Sequence, residues 1–290
     1  MQPLAVTGSL SKSEHTLIIM HSDNSFQALA EVCLFQPAIE AKLAATRAAG
    51  LALSSGKLVI APVTDPQPAT RVRFPDAPVL VEPRQLPRRS LTQAAGRVAF
   101  LHAVAHIEFT AILLAWDMAY RFPGLPDTFY RDWVGVACEE ARHFEAVRSR
   151  LRSLGADYGD LPAHRGLWEL AEQTSDDVLH RLAMVPRFME ARGLDVTPAM
   201  IDKLKAVDDT ESVAVLELIL REEVGHVALG SRWFDEVARR RGLEPEATYF
   251  DLIARYLHGE VRGPFNRSAR LQAGFSESEL QRLETLSDIR

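Results

Sequence analysis

Over most of residues 91–240, apolar side chains return every three to four positions with charged residues between them, and this spacing predicts helices. Four long segments carry the pattern: 93–122, 127–155, 175–193 and 209–242. Pro123 and Gly124 close the first, while Gly155 and Gly242 punctuate the second and fourth. The connection between the second and third, ADYGDLPAHRGLWELAEQT, is long enough to carry the chain across a bundle. The expected fold class is all-α, a four-helix bundle with one crossover over 93–242.

The flanks read differently. Residues 1–24 are mixed and expected to be loose. A helical pattern starts at Ser25 and runs through AEVCLF; Pro37 suits the first turn of a second helix that Gly50 can end, so 25–50 are expected to form a helical pair. Across 51–92 the chain carries Pro62, Pro66, Pro68, Pro75, Pro78, Pro83 and Pro87, and its short alternating pieces predict an extended arm laid over another surface. Residues 243–290 are expected to extend the same domain: a fifth helix in EPEATYFDLIARYLH, a loop at Gly263-Pro264, and a last helix opened by Ser276 with Glu279 three residues on.

Composition narrows the function classes. A chain of 290 residues with 47% hydrophobic and 25% charged residues is globular, and a net charge of −6 argues against a general nucleic-acid binder. The local basic clusters RSRLR (148–152) and ARRRG (238–242) read as helix C-termini complementing the helix dipole. Two cysteines, Cys33 and Cys138, make no framework, which fits a reducing cytoplasm. No apolar run approaches the ~20 residues of a membrane span, so no membrane association is expected.

The candidate chemistry lies in a repeated motif. Glu139-Glu140-Ala141-Arg142-His143 on the second helix recurs as Glu222-Glu223-Val224-Gly225-His226 on the fourth. Alone, such a doublet is what an ordinary solvated helix face carries. Its phase says otherwise. At about 100° per residue, Glu140 falls at the centre of the apolar face made by Trp133, Val136, Ala137, Phe144, Val147 and Leu151, with His143 about 60° to one side. Glu223 and His226 occupy the same positions among Leu216, Ile219, Leu220, Val227 and Phe234. The other two helices each place one carboxylate inward: Glu108 among Leu101, Ala105, Ile112 and Ala115, and Glu190 among Leu179, Ala183, Pro186 and Leu194, with Arg187 also near.

Four carboxylates in one apolar core repel one another and cost several kcal/mol each to desolvate unless cations accompany them. Two divalent ions balance four carboxylates, and mixed oxygen and imidazole donors suit iron or manganese. The expected ligands are Glu108, Glu140, His143, Glu190, Glu223 and His226, around two iron ions, with manganese or a mixed pair as alternatives. Glu139 and Glu222, about 100° off the buried centre, are each placed to accept the remaining ring N–H of the histidine on the opposite helix. His102 and His106 fall well away from Glu108 and read as structural or exposed, and Cys138 as a small core residue.

The pattern (D/E)-E-x-R-H at 139–143 resembles the second helix of ferritin-like di-iron oxygenases and reductases. More closely, HAVAHIEFTAI, CEEARHF, VPRFMEARGLDVTP, REEVGHVALG and RGPFNRSARLQAGF resemble the ferritin-like family known as domain of unknown function 455, over roughly residues 27–275. That resemblance implies a di-metal bundle and brings no substrate; a distant relation is the tRNA-hydroxylating monooxygenase. Gly225 stands where the first motif has Arg142, so any role of that arginine, placed beside Glu139 and Glu222 around the ligands, belongs to one half. The function expected is a di-iron oxidoreductase that activates oxygen or peroxide and oxidises a small-molecule substrate, with a redox partner as a candidate and an RNA substrate left open. The alternatives are iron oxidation and storage without an organic substrate, or a structural bundle whose core charges pair.

Overall fold

The computed structural model describes residues 24–61, 63–86, 90–257 and 261–288. The expected loose N-terminus therefore lies, except for Asn24, outside the described residues, as do Pro62, Pro87 and His258. Among the described residues the chain is all-helical, without a strand.

Ser25 opens α1 (Phe26–Phe35), its hydroxyl accepting from the Ala28 amide at 3.4 Å. Two expectations fail in the next helix, α2 (Ile39–Ser54). Pro37 precedes its N-cap, Ala38, and Gly50 does not end it, so the helical pair extends past residue 50 to Ser54. Packing explains the glycine: a Cβ at 50 would sit 3.0 Å from the Cys138 sulfur, so its absence lets α2 lie close against the helix carrying Cys138.

The Pro-rich stretch that follows forms two 3-10 turns, Ala69–Arg71 and Pro83–Gln85, between otherwise extended pieces. It is tied down by backbone and side-chain hydrogen bonds: Arg73 N to Leu34 O (2.9 Å), Val81 N to Ala163 O (2.8 Å), and Arg121 Nη1 to Gln67 O (3.0 Å).

The bundle proper begins with α3 (Ala94–Arg121) and α4 (Asp127–Ser153), joined by a short turn and packed along their lengths. Both α4 and the fourth long segment end at a glycine with positive φ, Gly155 (80°) and Gly242 (70°). The expectation that no stretch is apolar enough to span a membrane is corrected by α3, whose best window has a mean hydropathy of 1.8; 72% of that window is buried inside the protein, and Glu108 lies in the middle of the helix. The connection after α4 holds a short helix, α5 (Gly166–Gln173), packed on α3.

The third long segment differs most from its prediction. It starts as α6 (Val178–Met184), widens into a π-helical turn (Val185–Glu190), and continues as α7 (Ala191–Lys205), well beyond Gly193. Pro198 lies inside α7 and has no N–H to give the carbonyl of Leu194. The side-chain amide of Asn266, from the C-terminal extension, donates to that carbonyl at 3.2 Å, which is why the helix survives its proline. Then α8 (Thr210–Arg240) runs back against α7, the π turn and α4. Gly230 lets α8 approach the π turn: a Cβ there would stand 2.5 Å from Cβ of Pro186.

The extension comprises α9 (Pro245–Leu257), α10 (Arg267–Gln272) and α11 (Glu277–Asp288). Ser276 and Glu279 form the reciprocal cap at the start of α11, with Glu279 N to Ser276 Oγ at 3.0 Å and Ser276 N to Glu279 Oε2 at 2.8 Å. The basic clusters are neutralised locally: Arg148 and Arg152 by Asp157, Arg150 by Asp209, and Arg239, Arg240 and Arg241 by Asp235, Glu236 and Asp177.

Candidate metal centre

Three α-helices and the π turn bring the inward residues together. Glu108 stands on α3, Glu140 and His143 on α4, Glu190 at the end of the π turn, and Glu223 and His226 on α8. Glu140, His143 and His226 are 1%, 0% and 2% exposed, so this is interior chemistry rather than a solvated helix face. One ligand atom each from Glu108, Glu140, His143 and Glu223 falls within 4.8 Å of all the others. His143 Nδ1 lies 3.4 Å from Glu108 Oε2 and 3.5 Å from Glu140 Oε2; His226 Nδ1 lies 2.9 Å from Glu140 Oε1 and 3.4 Å from Glu223 Oε1. Glu190 is outside the tightest group of four, yet it feels the charges of two members of that group, Glu223 and Glu140.

The outer nitrogens of the two histidines are held crosswise. His143 Nε2, on α4, is 2.8 Å from Glu222 Oε2 on α8, and His226 Nε2, on α8, is 2.8 Å from Glu139 Oε2 on α4. A carboxylate can only accept, so each Nε2 carries the proton and each Nδ1 is turned to the carboxylate cluster. Arg142, more than half exposed, reaches Glu222 at 3.1 Å and Glu139 at 4.0 Å, bridging the two outer acids at the protein surface.

Electrostatics expresses the missing countercharge. Burial, reinforced by the charges of Glu140 and Glu223, pushes Glu108 up to about 8. Burial and the same two neighbours push Glu190 well above the carboxylate range. Burial alone would lower both imidazoles, but the surrounding carboxylates win and raise His143 to about 11 and His226 well above its ordinary value. At neutral pH, protons on Glu108, Glu190 and the two rings therefore supply the positive charge that this cluster lacks. Among the described residues, no ion pair joins Glu108, Glu140, Glu190 or Glu223 to an arginine or lysine. Arg187, which the helical phase placed near Glu190, turns away to pair with Glu279 at 2.8 Å.

The donor set fits a cation on a further count. Among the described residues, nine buried side-chain nitrogen and oxygen atoms have no hydrogen-bond partner, and five of them are Glu108 Oε2, Glu140 Oε2, Glu190 Oε2, His143 Nδ1 and His226 Nδ1. Orphaned buried polar atoms each cost about 1–3 kcal/mol, and four of these five, all but Glu190 Oε2, belong to residues joined by the short distances above, an arrangement that fits a cation.

His102 and His106 take no part in the cluster. Both are buried, which corrects the exposed alternative: His102 Nε2 accepts from the amide of Gly159 at 3.0 Å, and His106 bonds Tyr158 Oη at 2.9 Å and the carbonyl of His164 at 3.0 Å. They fasten the α4–α5 connection to α3. Cys138 is half-buried, its thiol directed at Thr46 O and pushed up to about 11 by burial. The sequence pattern gave no sign of a second buried charge cluster, Asp117 with Arg121 and Arg181, since Arg181 comes from a separate helical segment and joins the other two only through packing.

An uncharacterized protein of Haemophilus influenzae is 44% identical to this chain over 214 residues, 71% of this chain and 74% of that protein. No solved structure matches. The family model described as a protein of unknown function, DUF455, matches residues 35–281, and the chain belongs to that family.

Proposed function

We propose that this chain is a dinuclear metal oxidoreductase of the ferritin-like kind, with residues 154–177 as the single crossover of its bundle. Glu108, Glu140, Glu190 and Glu223 with His143 and His226 would hold two iron ions, or manganese in one or both positions. A redox-active pair bound there would supply the electrons for reduction of oxygen or peroxide, the chemistry by which a small organic substrate would be oxidised. The protein's own contribution is to gather donors whose protons a cation would displace, to keep solvent out, and to orient the imidazoles through Glu139 and Glu222.

The observation that carries this reading is that four unpartnered buried atoms, on Glu108, Glu140, His143 and His226, belong to one cluster of close carboxylates and imidazoles, with no ion pair to arginine or lysine among the described residues at these carboxylates. A charge-paired structural core draws support from the 2.9 Å approach of His226 Nδ1 to Glu140 Oε1, but that contact lacks hydrogen-bond geometry, and His226 Nδ1 is itself among the orphans. Anaerobic loading with ferrous iron, elemental analysis, and an optical spectrum before and after oxygen exposure test it. The expected result is two ions per chain with a spectral change on oxygen exposure. Retention near zero would establish the structural core, and retention on the order of a hundred or more ions, far beyond a carboxylate-bridged pair, would establish storage.

A further inference from the structure

Glu190 differs from the other five inward residues in its support. They stand on α-helices; it ends a π turn, Val185–Glu190. A π turn holds one more residue than an α turn, and relaxation to regular α geometry would rotate the following side chains by about 100°. Something must hold the turn open.

Two buried ion pairs anchor it, one from within the turn and one just past its end. Within it Arg187, 1% exposed, gives Nη2 to both oxygens of Glu279 at 2.8 and 2.9 Å and Nε to Ser231 Oγ at 3.3 Å. Its guanidinium lies 4.4 Å from the Tyr249 ring centre and 4.7 Å from that of Phe275. Past its end Asp195 receives Arg270 Nε at 2.9 Å, Arg270 Nη2 at 2.7 Å and the amide of Asn266 at 2.9 Å. Phe275 also contacts the Arg270 guanidinium, at 4.9 Å, and so joins the two pairs. Glu279, Phe275, Arg270 and Asn266 all come from the C-terminal extension, and Glu279 is itself fixed by its reciprocal cap with Ser276.

We propose that the C-terminal extension is a clasp: Glu279 grips Arg187 within the π turn, Arg270 grips Asp195 just past its end, and together they present Glu190 to the cation site. Glu279 and Arg270 are positioning residues, since neither touches the cluster. The effect on cation binding rests on the metal reading above; the grip on the turn does not.

The test uses the full chain with Glu279→Gln and with the double variant Arg187→Met/Glu279→Gln, which leaves no uncompensated buried cation and keeps the experiment readable if the single variant fails to fold. Leu283→Ala, a wholly buried position on the same helix, controls for loss of stability alone. Hydrogen exchange of the cation-free protein should be faster by about tenfold or more at 185–190, relative to α4, in the clasp variants and not in the control. In manganese titrations the second equivalent should bind about 10–100-fold more weakly in the clasp variants, as for other supports of a metal ligand, with the control like wild type. Unchanged protection at 185–190 overturns the clasp. Faster exchange with an unchanged second equivalent overturns its role in presenting Glu190. If the wild-type chain binds no cation, the reading of the site fails, and hydrogen exchange still decides the clasp.

Discussion

Two glycines of α8 make a controlled pair. At Gly225 an added Cβ would meet open space, with nothing within 4 Å, whereas at Gly230 the same carbon would meet Pro186 Cβ at 2.5 Å and Cγ at 2.8 Å. Both lie within one helix, so Gly→Ala gains about 0.5–1 kcal/mol at either site from reduced backbone freedom. At 225 that gain stands alone. At 230 it is opposed by overlap with a proline ring that cannot rotate away; carbon atoms rest about 3.5–4 Å apart, so α8 and the π turn must separate by about 1 Å. Forcing such a shift on a packed interface costs about 1–3 kcal/mol. Gly230→Ala should therefore be less stable than Gly225→Ala by about 1–3 kcal/mol, read as a lower urea midpoint in unfolding followed by circular dichroism and tryptophan fluorescence at equal m-values. Because Pro186 is one turn before Glu190 and Gly230 one turn after His226, Gly230→Ala should also weaken cation binding. Equal stabilities for the two variants would refute the argument, showing that α8 and the π turn have slack at their closest approach.

Glu139→Gln and Glu222→Gln should each lower cation affinity by about 10–100-fold while keeping the fold, with the loss assigned crosswise: spectroscopic perturbation of His226 in the first and of His143 in the second. A loss confined to the histidine on the same helix would contradict the observed pairing. Burial holds His106 down to about 4, while its unfolded value is the ordinary 6.5, so the unfolded chain binds the extra proton between those limits. Stability from this group is complete above pH 6.5 and is lost as pH falls to about 4, by roughly 3 kcal/mol at ~1.4 kcal/mol per unit. His106→Gln should flatten that part of the pH-stability curve, and an unchanged slope would show that other groups carry it.

The helical phase of the motifs was readable because α3, α4 and α8 are uninterrupted α-helices, so a fixed angle per residue carries a side chain's direction over several turns. It located Glu108, Glu140, Glu223 and both histidines on one interior surface, and the 100° offset of the leading glutamates was enough to aim them across to the other helix. The third segment broke the same arithmetic. Arg187 and Glu190 both lie within the π turn, where each residue turns the chain less than in an α-helix, so the α-helical count placed Arg187 beside the carboxylates instead of against Glu279. The third segment was bounded at residue 193, short of the α7 that continues through Pro198; the donor that meets the carbonyl left free there, Asn266, is remote in sequence and left no local mark. The Pro-rich arm was legible as extended, but its attachments, such as Arg121 to Gln67, depend on tertiary placement.

The crosswise hold on the histidines has a consequence for how the protein comes into being. The partners in each contact are 79 and 87 residues apart, and neither five-residue motif contains the carboxylate that orients its own imidazole. During synthesis α4 emerges complete while its complement is still unmade, and at that stage its acids remain hydrated and its ring is free to turn. The centre therefore comes into existence in a single late event, when α8 docks and both orientations are set together. On the metal reading, closure of the bundle would have to precede tight cation capture, and a chain interrupted anywhere between the two motifs would hold not half a site but none.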